Sequence, residues 1–162
     1  MKAVIQRVTS ANVSVNGEVI SAIQKGLCVL LSISRDDTIQ QVEYMVNKIL
    51  NVRLFDEETE GGKRWSKGVK DRGLEVLCIS QITLYHTLKG NKPDFHLAMA
   101  PEASKTLFSQ FMDRLRTSYE PEKVKEGQFG AYMQVSIQND GPVTIILESP
   151  EKKDSTSEKR GV

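Results

Sequence analysis

Cysteine and histidine are scarce, at two residues each in a chain of 162. Neither cysteine has a CxxC partner or a nearby histidine, so zinc binding and thioredoxin-like redox chemistry find no support. Cys28 and Cys78 lie inside the apolar runs Leu27-Cys28-Val29-Leu30 and Val76-Leu77-Cys78-Ile79, where small buried thiols are expected. His86 and His96 fall ten residues apart in a loop-like region, and no metal site or cofactor is expected. Charge of one sign is also lacking: 22 Lys plus Arg against 21 Asp plus Glu leave a net +1. That balance argues against coating duplex DNA by bulk electrostatics, so any nucleic-acid contact must be local. The opening residues Met1 to Arg7 have neither the long apolar stretch nor the small-residue cleavage site of a signal peptide. A cytoplasmic protein with no membrane partner is expected. Gly61-Gly62-Lys63 lacks the rest of a phosphate-binding P-loop.

What is present reads as one domain of mixed type. Val4 to Val15 and Glu18 to Ile23 flank Asn16-Gly17, a strong hairpin signal. Gly26 precedes the strand-length run Leu27 to Ser34, and Asp37, three residues before Gln40, is placed to open a capping box. Ile39, Val42, Met45, Val46, Ile49 and Leu50 then keep helical spacing. Asn51 to Phe55 suggests a further strand, Asp56 to Gly73 a long polar loop, and Leu74 to Ser80 a strand again. Pro101 suits the first position of a second helix, with Ala103, Leu107, Phe111 and Leu115 on one face and Phe108 and Met112 widening it. From Ala131 the pattern has period two, Asn139-Asp140-Gly141-Pro142 is expected to turn the chain, and Val143 to Glu148 returns as a strand. Residues 149–162 carry almost nothing apolar, so a domain over 1–148 and a charged, disordered tail are expected. The order of elements gives an α+β fold, two helices among largely antiparallel sheets.

Arg7 is the first residue to break a pattern. In the register Ala3, Ile5, Arg7, Thr9, Ala11, Val13 and Val15 it falls on the inward face, where a guanidinium needs partners. It can sit at a sheet edge or form a structural ion pair, or it can fix the orientation of a backbone carbonyl elsewhere. Ser80-Gln81-Ile82-Thr83-Leu84 ends an apolar strand, where hydroxyls and free backbone N–H groups can face a ligand. Thr83 would be a nucleophile only with a base beside it, and spacing supplies none. Asn139-Asp140-Gly141-Pro142-Val143-Thr144 is more specific, because a cis Gly-Pro would aim two successive carbonyls outward, able to hold an ammonium group without a side chain. Lys63, Arg64, Lys67, Lys70 and Arg72, with Trp65 among them, form the densest basic cluster, either a solvated face or a contact for an RNA end.

These two motifs, with MKAVIQRV at 1–8, GNKPDF at 90–95 and FGAYM at 129–133, resemble the D-aminoacyl-tRNA deacylases over about residues 1 to 148. The resemblance implies a barrel-like β fold and a homodimer with active sites at the subunit interface. The implied reaction is hydrolysis of the ester between a D-amino acid and the 3′ end of tRNA; because glycine has no side chain for such a site to reject, some cleavage of glycyl-tRNA is expected as well. It further implies that the carbonyls of Gly141 and Pro142 enter the partner's site to bind the α-amino group, with Arg7 holding that motif. Ser80, Gln81, Ile82 and Thr83 become the catalytic segment, with N–H groups at Gln81 and Ile82 facing the oxyanion. Phe95, Ala131 and Met133 become contacts for the substrate or the tRNA end. The tRNA's own 2′-hydroxyl is the favoured assistant to the attacking water, with a Thr83 nucleophile and a non-catalytic nucleic-acid-binding module as the alternatives. Ile82 departs from the family, which often has an aromatic there, and the motif looks like the branch whose Gly-Pro is cis rather than trans.

Overall fold

The computed structural model describes residues 1–151, and most of the expected tail lies outside them. Strand β1 (Lys2–Val15) turns through Asn16 and Gly17, both at positive φ, into β2 (Glu18–Ile23), as the type of turn favoured by that dipeptide requires. Strand β3 (Gly26–Ser32) runs back along the first half of β1, and α1 (Ile39–Asn51) follows. Next come β4 (Glu75–Ser80), the short hairpin β5 (Thr87–Lys89) and β6 (Lys92–Asp94), α2 (Pro101–Thr117), β7 (Val124–Glu126) and the long β8 (Gln134–Glu148). The main sheet has the order β2-β1-β3-β4-β7, with β8 along the other side of β1. The β1 pairings are antiparallel, whereas β3–β4 and β4–β7 are parallel. Because β2 also approaches β4 and β7, the sheet curls nearly shut.

That curl explains why β3 is apolar throughout. Leu27, Val29 and Leu31 meet the two helices on the outer face, while Cys28 joins Val8, Val13, Ile23, Leu77 and Ile79 inside the curl. A strand buried on both faces reads as a continuous run. Helix α1 inserts Val42, Met45, Val46 and Ile49 into the outer core, and α2 adds Leu107, Phe108, Phe111, Met112 and Leu115.

Several expectations need correction. The capping box starts at Thr38, whose partner is Gln41, because Asp37 is already committed: its carboxylate accepts from the Ser34 N–H at 2.7 Å and the Met1 ammonium at 2.8 Å. Asn51 to Phe55 is not a strand; α1 runs through Asn51, a tight turn brings Leu54 N–H to the Val52 carbonyl, and only Phe55 makes a bridge, to Lys67. Ala103 is exposed, so the second helix buries a face that begins at Leu107. Asn139 to Pro142 does not reverse the chain. Both halves of β8 pair antiparallel with β1, and between the pairs Gln6–Thr144 and Val8–Asn139 β8 has four residues against one. The turn-forming residues therefore make a bulge in a continuous strand. Ser149, where the tail was expected to begin, donates its N–H to the Met1 carbonyl at 2.9 Å.

Candidate active site

Parallel pairing of β3 with β4 puts Leu31 opposite Ser80, so both strands end at the same level. Beyond those ends lies a cavity of about 430 Å³, closed by Phe108 and Ser104 of α2 and by the segment Phe129 to Met133. Ser80, Gln81, Ile82, Ala131 and Met133 line it, together with Ser32. The wall is mostly apolar, with Ser32, Ser80, Gln81 and Ser104 among its polar side chains, a composition suited to a small ligand fixed by few directed groups.

A network of short-range bonds sets the backbone at the end of β4. The Gln81 N–H donates to the Leu31 carbonyl at 2.8 Å, continuing the ladder. The expected oxyanion role of that N–H is therefore corrected: the donor is taken by β3. In the single 3₁₀ turn that follows, Leu84 N–H bonds the Gln81 carbonyl and Tyr85 N–H bonds the Ile82 carbonyl. Among the described residues the N–H groups of Ile82 and Thr83 are left over, as the first donors of any helical turn are. Ser32, only 1% exposed, donates its hydroxyl to the Ile82 carbonyl at 3.3 Å and so ties the turn to β3.

Thr83 is exposed and does not line the cavity. Its hydroxyl accepts from the Gln81 side-chain amide at 2.6 Å, and His86 Nδ1 bonds the Thr83 carbonyl rather than the hydroxyl. Neither partner is a base positioned to take the hydroxyl proton. Phe95 also falls outside the cavity: the β5–β6 hairpin ends at Asp94, and the chain turns there with Ala98 N–H on the Phe95 carbonyl.

Arg7 lies opposite the bulge of β8. Its Nε donates to the Asp140 carbonyl at 3.3 Å and stands 3.4 Å from the Asp140 carboxylate, while Nη1 donates to the Leu54 carbonyl at 2.7 Å. The inward register expected for it is broken locally, because Val8 is the buried residue there and Thr9 is exposed. The ion-pair and carbonyl-holding alternatives meet here: Arg7 pairs with the Asp140 carboxylate and also holds the main-chain carbonyls of Asp140 and Leu54. Next to Asp140 the Gly141–Pro142 peptide is cis, and both residues are exposed. Gly141 has φ +123, and a Cβ built on it would stand 3.3 Å from Arg7 Nη2. None of Arg7, Gly141 and Pro142 lines the cavity of its own chain.

The structure thus brings together Ser80, Gln81, Ile82, Ala131 and Met133 in one place and Arg7 with the bulge in another. Sequence reasoning did not single out Ser32 or the Leu54 carbonyl. The first was hidden in an apolar run, and the second is a main-chain group that no residue type announces.

Comparison with known proteins gives this arrangement a context. Residues 4–148 match the family described as D-Tyr-tRNA(Tyr) deacylase. A Drosophila melanogaster protein named D-aminoacyl-tRNA deacylase is 61% identical over 158 residues, 98% of each chain. The human D-aminoacyl-tRNA deacylase 1 is 58% identical over 160 residues, 99% of this chain and 76% of that one. A solved structure named c-Myc DNA Unwinding Element Binding Protein superimposes with a TM-score of 0.89 at 60% identity, covering 93% of this chain and 100% of the other. A probable eukaryotic D-amino acid tRNA deacylase shares the fold, with a TM-score of 0.77 at 16% identity over 90% of this chain and 97% of the other. Relatives so named over nearly the full length make the chain an enzyme, a hydrolase. It belongs to the D-Tyr-tRNA(Tyr) deacylase family. Among the described residues no helix is long and apolar enough to cross a membrane.

Proposed function

We propose that the chain is a homodimeric editing enzyme that hydrolyses the ester joining a D-amino acid to the 3′-terminal adenosine of tRNA, releasing free D-amino acid and tRNA. The observation that carries this reading is the separation of two parts on one chain. A ligand-sized cavity lies at the end of β4, and the exposed Gly141–Pro142 pair, next to the Asp140 carbonyl that Arg7 holds, lies outside it. A second copy that inserts its Gly141 and Pro142 into that cavity would complete the site.

The selectivity then follows from geometry. The partner's Gly141 and Pro142 carbonyls hold the substrate ammonium, and backbone donors hold the ester carbonyl. Two substituents of the α-carbon are thereby fixed, and one direction remains for the side chain. A D side chain occupies it; an L side chain meets the wall, and rejection by clash adds to rejection by lost hydrogen bonds. Glycine offers nothing to reject, so glycyl-tRNA is also a substrate.

In the chemical step water adds to the ester carbonyl, and the bond to the 3′-oxygen breaks. The N–H group of Ile82, which lines the cavity, stabilises the developing oxyanion, an effect worth about 3 kcal/mol per donor in well-studied sites. The adjacent 2′-hydroxyl of the tRNA takes part in the proton transfer from water. This route is favoured over a Thr83 acyl-enzyme because the partner of the Thr83 hydroxyl is an amide, which cannot serve as base. Purified protein given D-tyrosyl-tRNA and L-tyrosyl-tRNA in parallel is expected to cleave only the first. Equal cleavage of both, or of neither, sinks this proposal.

A second reading is a nucleic-acid-binding module. The 60% identical structure is named for binding a DNA element, which favours this reading, as does the basic cluster Lys63 to Arg72. It predicts salt-sensitive binding that ignores the attached amino acid, without ester cleavage.

A further inference from the structure

We infer that Trp65 is a positioning residue for the chirality-reading motif, acting through Arg7; this rests on the deacylase reading above. The loop between α1 and β4 is closed at its base by a short ladder. Phe55 N–H donates to the Lys67 carbonyl at 3.0 Å, Lys67 N–H returns to the Phe55 carbonyl at 2.9 Å, and the Ser66 hydroxyl caps the Lys63 carbonyl at 2.8 Å. This base presents two groups to Arg7. The Leu54 carbonyl accepts from Nη1 at 2.7 Å, and the Trp65 ring lies under the guanidinium carbon, 5.9 Å from the ring centroid. A guanidinium facing an aromatic ring at that range is attracted by the ring quadrupole.

The conformation of Trp65 is costly by itself. Its φ is +55, a left-handed value that bulky side chains rarely adopt, and 55% of the residue is exposed. A large apolar side chain in a strained backbone gains little from burial here. What it gains is the cation. Strain that persists in this way is characteristic of residues held for a purpose at functional sites.

The consequence is a three-part chain of contact, from Trp65 to Arg7 to the Asp140 carbonyl, ending beside Gly141. With Nη1 held by the Leu54 carbonyl and the guanidinium carbon over the ring, Nε is placed to meet Asp140. Removing the ring frees the side chain to leave the bulge, and the carbonyls of Gly141 and Pro142 lose their fixed aim.

The test uses Trp65→Ala, Trp65→Phe and Arg7→Ala in the full-length protein, with deacylation of D- and L-tyrosyl-tRNA as readout. An exposed cation–ring contact of this kind corresponds to roughly a two- to fivefold change. Trp65→Ala is therefore expected to lower the D over L rate ratio by about that factor. Trp65→Phe is expected to restore most of the ratio, and Trp65→Ala to add nothing in an Arg7→Ala background. A merely structural role would move neither the ratio nor its dependence on Arg7. If Arg7→Ala lowers the ratio while Trp65→Ala leaves it untouched, the inference is wrong and the deacylase reading stands. If Arg7→Ala leaves the ratio untouched, the reading of the motif itself fails. A second measurement does not depend on the alanine variant folding. Trp65 is the sole tryptophan, so the tryptophan emission comes from this residue alone. The emission intensity or maximum is expected to change in Arg7→Ala, and identical spectra would overturn the inference.

Discussion

Gly141→Ala tests the bulge most directly. An alanine Cβ there would stand 2.9 Å from Val143 Cγ2, 3.1 Å from Val143 N and 3.3 Å from Arg7 Nη2. The Arg7 side chain can move aside and the Val143 rotamer can change, but the Val143 main chain is tied into β8. The φ of +123 lies where a side chain is strained whatever the space around it. Forcing a non-glycine residue into such a conformation costs about 1–3 kcal/mol. No native contact offsets this, since Gly141 and Pro142 are exposed, and the smaller unfolded-state gain of a Gly to Ala change, about 0.4–1 kcal/mol, only reduces it. For a domain of this size each kcal/mol lowers Tm by about 2–4 °C, so a drop of about 2–12 °C is expected by calorimetry. The protein relieves part of the strain by shifting the bulge, which moves the carbonyls. The ratio of D- to L-tyrosyl-tRNA cleavage should therefore fall further than the fall in folded protein at the assay temperature explains. A variant whose Tm stays within about 1 °C of the parent, with the ratio intact, would show that the position is not constrained as described.

Four other outcomes are expected. Ser32→Ala removes a buried donor from the Ile82 carbonyl; a loss of about 1 kcal/mol in urea unfolding and a lower kcat at similar KM are expected, and an unchanged kcat would refute the link. Burial pushes the Cys28 thiol up to about 12 and the fully buried Cys78 higher still, so both stay protonated at pH 8. Iodoacetamide should leave both untouched in the folded protein and label both in urea; rapid native labelling would contradict this burial. Thr83→Ala should retain near-full turnover, whereas a tRNA ending in 2′-deoxyadenosine should be cleaved far more slowly, and the reverse pattern would favour the acyl-enzyme. Glycyl-tRNA should be cleaved while L-alanyl-tRNA resists, and equal resistance of the two would remove the steric account.

Local signals carried much of the fold. Asn16-Gly17 specified its hairpin because both positive φ values are set by those two residues alone. Ile39 to Leu50 specified its helix by spacing, and Pro101 marked the start of the second. Errors arose where a distant partner decided. Asp37 is as good a cap as Thr38 until Met1 and Ser34 claim its carboxylate. The Gln81 N–H looked free because the ladder that takes it belongs to β3, about fifty residues earlier. Asn139 to Pro142 has a turn composition because a bulge and a turn need the same backbone freedom; only the pairing with β1 separates them. The cavity residues Ala131 and Met133 came from a resemblance, which also offered Phe95; that residue lies outside the cavity, where only a contact with the tRNA end is left to it.

The bulge in β8 has a consequence for how the motif can vary. Beyond Val8 the register settles at Ser10–Gln138, so between Gln6–Thr144 and that pair β8 has gained two residues on β1. An even surplus preserves the matching of faces between the two strands. Ile145 opposes Ile5 and both pack on the outer core, while Ile137 opposes Ala11 and both pack inside the curl. Adding or deleting one residue between Asn139 and Val143 would invert the parity and turn one half of the strand inside out. The segment can thus be lengthened or shortened in pairs, but a lone indel would exchange dry side for wet side along half a strand.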